Sequence, residues 1–271
     1  MKLEFFFNLL EQELKQNPAL TKYHKFINNK YLYHFRKSYV EQRFNYLLRN
    51  TDKENAVIWD VGCGYGTTGF FLASKGFEVV CTTIEYYFDK INSRLQYWKN
   101  FIDLSKITFE YKNIFDSISD KREFDYIIAI DTLHHLEPFN EAVNIFHNSL
   151  KPNGKIIVCE ENGNNLINNI KHFGERGFKK IINIYDEKLK KEILFGNENT
   201  RSLKRWRKEF SIVPFMFDEN SIEYIRFYFP HVYKKLKTEI IIEKEQKLWK
   251  KSPLLREFFF FGINFVIIKS K

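Results

Sequence analysis

The run Asp60-Val61-Gly62-Cys63-Gly64-Tyr65-Gly66 is the part of this sequence best built to hold a ligand. It follows the apolar segment Val57-Ile58-Trp59, so an acid and alternating glycines fall where a strand turns into a helix. Glycines at such a turn let a ligand approach the backbone closely. The frame Gly64-Tyr65-Gly66-Thr67-Thr68-Gly69 also matches the dinucleotide pattern G-x-G-x-x-G, which raises a nicotinamide cofactor as one reading. Charge decides against it. Asp60 would repel a pyrophosphate, since unit charges ~4 Å apart interact by about 4 kcal/mol at an effective dielectric near 20. The dinucleotide frame also leaves Gly62 without a role. A second acid, Glu85, ends the next apolar run, Phe77–Thr83. A carboxylate there accepts two hydrogen bonds from a ribose diol, which implies a nucleoside ligand.

The ligand that fits an acid beside the loop lacks phosphate and carries positive charge. S-adenosylmethionine, with its ammonium and sulfonium, meets both conditions. Methyl transfer from it is an in-line displacement, in which the protein supplies alignment and a dry, shaped site. No metal is needed, and a base is needed only if the acceptor must lose a proton. Base candidates follow the apolar run Phe124–Ile130: Asp131, better suited to border the methionine portion, then His134 and His135. Glu160 and Glu161 end the run Ile156–Cys159 and stand on the acceptor side. Tyr33, in the aromatic cluster Tyr31, Tyr33, His34, Arg36, Tyr39, is a further substrate candidate, as are Arg201, Arg205 and Trp206 for an anionic or sugar acceptor.

The elements that must position these residues are readable from periodicity. Residues 1–50 read as an N-terminal helical extension, with a break at Asn17-Pro18. Residues 51–271 read as one sheet domain, in which apolar runs alternate with helical stretches as far as Glu161, which implies a parallel sheet covered on both faces. The alternation stops past Glu161. Residues 162–217 are expected to be mostly helical, a lid-like insertion over the ends of the fourth and fifth strands. Ile222–Phe229 is expected as a strand, Lys234–Lys250 as a helix, and Phe259–Ile268 as a last strand buried inside the sheet.

With these motifs in order, residues 56–160 resemble the class I S-adenosylmethionine-dependent methyltransferases. Asp60–Gly66 looks like that family's first motif, Phe124–Leu136 its fourth-strand segment, and Leu150-Lys151-Pro152-Asn153-Gly154 its turn before strand five. The resemblance implies an α/β, Rossmann-like seven-stranded sheet of order 3-2-1-4-5-7-6 with the last strand antiparallel. It implies that Asp60, Gly62, Cys63, Gly64, Gly66, Glu85 and Asp131 bind the cofactor. Asn113 stands where the family often has an acid; its amide can pair with adenine while Ile114 packs on the ring. His135 is often structural in this segment, and insertions after strand five commonly cover the acceptor.

Composition narrows the partners. Three scattered cysteines make neither a disulfide framework nor a metal knuckle. No basic start followed by a long apolar stretch marks a signal peptide, and no run reaches the ~20 residues of a membrane span, so a cytoplasmic setting is expected. Of the net charge of +9, most lies in 171–208, which holds twelve Lys and Arg against five acids. That segment keeps RNA open as a partner. The asparagine-proline signature for methylating nucleic-acid amino groups is absent after strand four, where Asp131-Thr132-Leu133-His134 stands. A small-molecule acceptor (a sugar, lipid precursor or metabolite) is the leading expectation. An RNA or protein methyltransferase, or a nucleic-acid-binding protein that kept the fold without activity, is the alternative.

Overall fold

In the computed structural model, which describes residues 1–25, 27, 29–119 and 123–270 (side chains of 86, 87 and 117–119 excepted), three helices lead: α1 (Leu3–Gln16), α2 (Pro18–His24) and α3 (Tyr33–Asn50). Then β1 (Val57–Val61), α4 (Thr67–Ala73), β2 (Glu78–Thr83), α5 (Ile91–Trp98), β3 (Ile107–Tyr111), β4 (Phe124–Ile130), α6 (Phe139–Ser149) and β5 (Leu150–Glu161) alternate. The insertion follows as α7 (Leu166–Arg176), β6 (Ile181–Asp186), β7 (Lys191–Gly196) and α8 (Leu203–Phe210). The chain ends with β8 (Phe215–Ile225), α9 (Pro230–Lys235), α10 (Thr238–Lys251), α11 (Pro253–Phe259) and β9 (Gly262–Lys269).

The seven-stranded sheet runs β3-β2-β1-β4-β5-β9-β8. β1 to β5 pair in parallel, and β9 inserts antiparallel between β5 and β8. This is the expected order, with β8 and β9 as the sixth and seventh strands. Side chains alternate across it as strand geometry requires. Ile58, Cys81, Ile128, Ile157 and Val266 face α1, α3, α4 and α5. Trp59, Val61, Ile127, Val158 and Phe265 face α6 and α8. Both layers are aromatic: Phe6 stacks on Trp98 and Phe44 on Phe71 in one, and Phe139 packs on Trp206 in the other. Phe6, Phe7 and Leu10 of α1 are fully buried, so the leading helices complete one core layer. All three cysteines are free thiols, and no helix among the described residues is long and apolar enough to cross a membrane.

Two expectations are corrected. The insertion carries an antiparallel hairpin, β6–β7, between its two helices. The edge strand begins at Phe215 and ends at Ile225, shifted toward the N-terminus from Ile222–Phe229, with a pairing irregularity between Asp218 and Glu223.

Candidate active site

A cavity of about 400 Å³ opens beyond the carboxyl ends of β1, β2 and β4. Strand order reverses between β1 and β4, the place where ligands settle in open α/β sheets. Its floor is the glycine loop. Gly62, Gly64 and Gly66 have φ of 67°, 53° and 77°, a left-handed backbone open to glycine. Space excludes other residues as well: a Cβ on Gly62 would lie 2.4 Å from Thr132 Cγ2, and one on Gly66 2.4 Å from Phe109 Cε1. The amides of Gly62 and Cys63 donate to the Thr82 carbonyl, tying the loop to β2. Asp60 lies beneath the loop, lining the cavity but only 2% exposed. Burial pushes its carboxyl up to about 7, against a hydrogen bond from the Gly69 amide.

Glu85 stands exposed at one wall, beyond β2. Asn113 and Ile114, both buried, line the adjoining stretch after β3. Opposite, Asp131 lines the cavity and pairs with Arg43 of α3, which also lines it. Cys63 and Gly64 also line it, whereas Gly66, expected to bind the cofactor, is not among the lining residues. Residues that no motif marked close the cavity: Tyr23 and His24 from α2, Val40 and Phe44 from α3, and Ile193, Leu194 and Phe195 from β7. His24 Nε2 lies 3.0 Å from Thr67 Oγ1, and burial with the nearby Arg94 pushes its pKa down to about 3, so its ring is neutral.

The paired histidines part company. His134 is buried, absent from the cavity wall, and bonded through Nδ1 to Glu160 Oε2 at 2.6 Å. Burial opposes its charge, but the Glu160 carboxylate overcomes this and pushes its pKa up to about 9. It is therefore an imidazolium at neutral pH and unsuited to be a base, which corrects the sequence expectation. Glu160 also accepts the amides of Thr132 and Leu133, at 2.8 and 2.6 Å. It holds this turn from within and does not reach the acceptor space expected of it. His135 lines the cavity, stacked on Phe195. Its Nδ1 lies 2.7 Å from the Gly196 carbonyl oxygen. A carbonyl only accepts, so Nδ1 carries the proton and Nε2 keeps its lone pair. Burial and the neighbouring His134 cation lower its pKa, so it is neutral.

The other five acceptor candidates are also placed elsewhere. Arg201 is 2% exposed, bonded to Glu137 at 2.7 Å, with its guanidinium over Phe139 and Trp206. Trp206 is fully buried in the layer beneath α6 and α8. Both belong to the core because α8 packs on α6, on the opposite side of the sheet layer from α3. Arg205 is exposed and pairs with Glu209 one turn along α8. Tyr33 donates to Glu11 across α1 and α3, away from the cavity. Glu161 bonds His172 Nε2 at 2.9 Å; burial would raise its pKa, but that bond and the nearby Arg226 hold it at about 2. Among the described residues, Glu161–His172–Glu198 and His134–His135–Glu198 gather ligand-type atoms, and each histidine in them is bonded through one ring nitrogen to Glu160, Glu161 or the Gly196 carbonyl. Much of the basic segment is paired too: Lys188 with Asp89, Lys191 with Asp116, Arg207 with Glu219.

With this geometry in place, comparison with known proteins is specific. Residues 59–156 match a family model described as a methyltransferase domain. The chain is 24% identical over 130 residues to the ubiquinone biosynthesis O-methyltransferase of Rickettsia typhi, covering 48% of this chain and 50% of that one. It is 29% identical over 109 residues to phosphoethanolamine N-methyltransferase 1 of Arabidopsis thaliana, covering 40% and 21%. The chain thus spans about half the length of the ubiquinone enzyme it matches. Phosphoethanolamine N-methyltransferase 2 of Haemonchus contortus, solved in complex with S-adenosyl-L-methionine, shares the fold with a TM-score of 0.55 at 14% identity, covering 85% of this chain and 52% of that one. The sheet order is that of the class I S-adenosylmethionine-dependent methyltransferase fold, and residues 59–156, which hold the glycine loop, match a methyltransferase domain.

Proposed function

We propose that this protein transfers a methyl group from S-adenosylmethionine to a small-molecule acceptor, with His135 as the general base. The observation that carries the reading is the left-handed loop Gly62–Gly66, opening into a cavity that has Glu85 at one end and a neutral His135 at the other. When bound, the cofactor supplies an electrophilic methyl group on a sulfonium. The loop would admit it against bare backbone, Glu85 would take the ribose hydroxyls, and Asn113 with Ile114 would hold the adenine. Asp131, fixed by Arg43, would border its cationic end. Nε2 of His135 would accept the proton that an acceptor hydroxyl or amine releases on methylation. β7 lines the cavity and would exclude water as a lid, a role that falls to the hairpin in place of the helices.

The relatives that act on small molecules, a ubiquinone precursor enzyme and a phosphoethanolamine enzyme by name, support the small-molecule class. Pairing of several basic side chains in 171–208 removes part of the charge that favoured RNA. The test is calorimetry followed by turnover. S-adenosylmethionine and S-adenosylhomocysteine should bind and NAD should not, and a screen of phenols and amines should release S-adenosylhomocysteine. Binding of NAD without response to either sulfur ligand would overturn the reading.

A further inference from the structure

Near Arg43, which lines the cavity, lie two further arginines that the proposed chemistry does not use, Arg36 and Arg226, neither of them among the lining residues. Tyr39, buried on α3, has the Arg43 guanidinium 3.6 Å from its ring centroid and the Arg226 guanidinium 3.9 Å from it. Arg36, one turn earlier on α3, is half-buried beside them. Burial and the like charges of Arg226 and Arg43 depress its pKa, which places all three cations in one neighbourhood.

Their charges are unevenly answered. Arg43 has Asp131. Among the described residues, neither Arg36 nor Arg226 has a carboxylate within ion-pair distance; Asp131 and Glu161 act on Arg36, and Arg226 on Glu161, only from farther off, and the Arg226 side chain reaches the Phe261 carbonyl at 3.3 Å. The Nε atoms of Arg36, Arg43 and Arg226 are buried without a hydrogen-bond partner. Leaving buried donors unanswered and crowding like charges is costly, so such an arrangement persists where something else completes it. Arg226 is moreover held in place by its surroundings. It follows β8 in a left-handed backbone, φ 63°, that a bulky side chain seldom adopts. The buried Glu245 fixes that turn by accepting the amides of Arg226 and Phe227, at 3.2 and 2.8 Å, and the Tyr233 hydroxyl at 3.0 Å.

We infer that Arg36 and Arg226, with Arg43 at the cavity wall, form a subsite for an anionic group, a phosphate or carboxylate, on the methyl acceptor. The inference rests on the methyltransferase reading above and names the class of acceptor for that site. Guanidinium forks suit both oxyanions. Arg226 is only 8% exposed, out of reach of a polymer backbone, so the anion belongs to a small molecule.

The test uses the full chain saturated with S-adenosylhomocysteine. Inorganic phosphate and acetate are titrated calorimetrically, in separate arms, into the unsubstituted protein and into Arg36→Gln, Arg226→Gln and Arg205→Gln. At least one anion should bind, its affinity falling about tenfold or more in Arg36→Gln and Arg226→Gln, as expected for a lost charged hydrogen bond. It should be unchanged in Arg205→Gln, whose side chain lies exposed on α8. The arm that binds tells phosphate from carboxylate. Matched acceptors follow: phosphoethanolamine against ethanolamine, and 4-hydroxybenzoate against phenol, with turnover expected only from an anionic member. Arg36→Gln keeps the proposal testable should Arg226→Gln fold poorly. Failure of both anions to bind, binding indifferent to Arg36→Gln, or equal turnover of the neutral partners overturns the subsite. Failure of S-adenosylhomocysteine itself to bind overturns the underlying reading instead.

Discussion

Glu13 and Arg94, 81 residues apart in sequence, meet as a two-pronged ion pair with N–O distances of 2.8 and 2.7 Å, both side chains buried. The remaining Arg94 nitrogen donates to the Tyr65 carbonyl and the Thr67 hydroxyl, and the Trp98 indole donates to Glu13. The first helix is therefore bolted to the end of the glycine loop through a single guanidinium. Removing one partner of a buried pair strands the other charge, at a cost of about 3–5 kcal/mol. Against a total stability of about 5–15 kcal/mol, Glu13→Ala should unfold in markedly less urea and bind S-adenosylhomocysteine more weakly. An unchanged urea midpoint would show that the pair contributes nothing.

The His134–Glu160 pair gives stability a pH dependence of known sign. The folded pKa of His134, about 9, lies above its ordinary 6.5. The pair's contribution is thus fully present below pH 6.5 and is lost as pH rises through about 9. Thermal midpoints measured from about pH 6 to 10 should fall across that window in the unsubstituted chain and fall less in His134→Gln. Parallel curves for the two proteins would refute the assignment.

What the sequence made legible follows from what is local. The loop Asp60–Gly66 and the runs at 57–61, 77–83, 107–111, 124–130 and 156–159 declare themselves, because strand period and left-handed turns are written in neighbouring residues. The order of the sheet came from the family resemblance. The hairpin was missed because its alternation, Ile181-Ile182-Asn183-Ile184-Tyr185 and Lys191-Glu192-Ile193-Leu194-Phe195, is short, largely exposed and wrapped in lysines that read as a helical face. Tyr23 and His24 carry no motif; only the return of α2 over the loop brings them to the cavity. His134 and His135 are indistinguishable in sequence, and distant partners, Glu160 and the Gly196 carbonyl, set one as a buried cation and the other as a neutral ring at the wall.

Arg201 and Arg205 should behave oppositely to an acceptor-gripping pair. Arg201 is bonded to the buried Glu137, so Arg201→Ala should cost about 3–5 kcal/mol in urea unfolding. Arg205 pairs in the open with Glu209, so Arg205→Ala should cost about 1 kcal/mol or less. Neither change should alter the Michaelis constant for an acceptor under conditions where the chain is folded. A raised constant in Arg205→Ala would return that residue to the site.

The sharpest prediction couples the two histidines through rate. If His135 Nε2 takes the acceptor's proton, His135→Gln should lower kcat by roughly 10²–10⁴, the usual contribution of a general base, while S-adenosylhomocysteine affinity stays nearly unchanged. Rate should fall on the acid side as His135 protonates, with an inflection below pH 6.5, because burial and the adjacent cation both lower its pKa. His134 is that cation, and the two ring centroids are 4.0 Å apart. His134→Gln removes the repulsion while leaving the Nδ1–Gly196 bond that fixes the His135 tautomer. Its acid inflection should therefore move to higher pH relative to the unsubstituted enzyme, even if the maximal rate changes little. A merely structural His134 would alter stability and leave the inflection in place. An inflection that stays put in His134→Gln, or a His135→Gln enzyme with undiminished kcat, would remove His135 from the role of base.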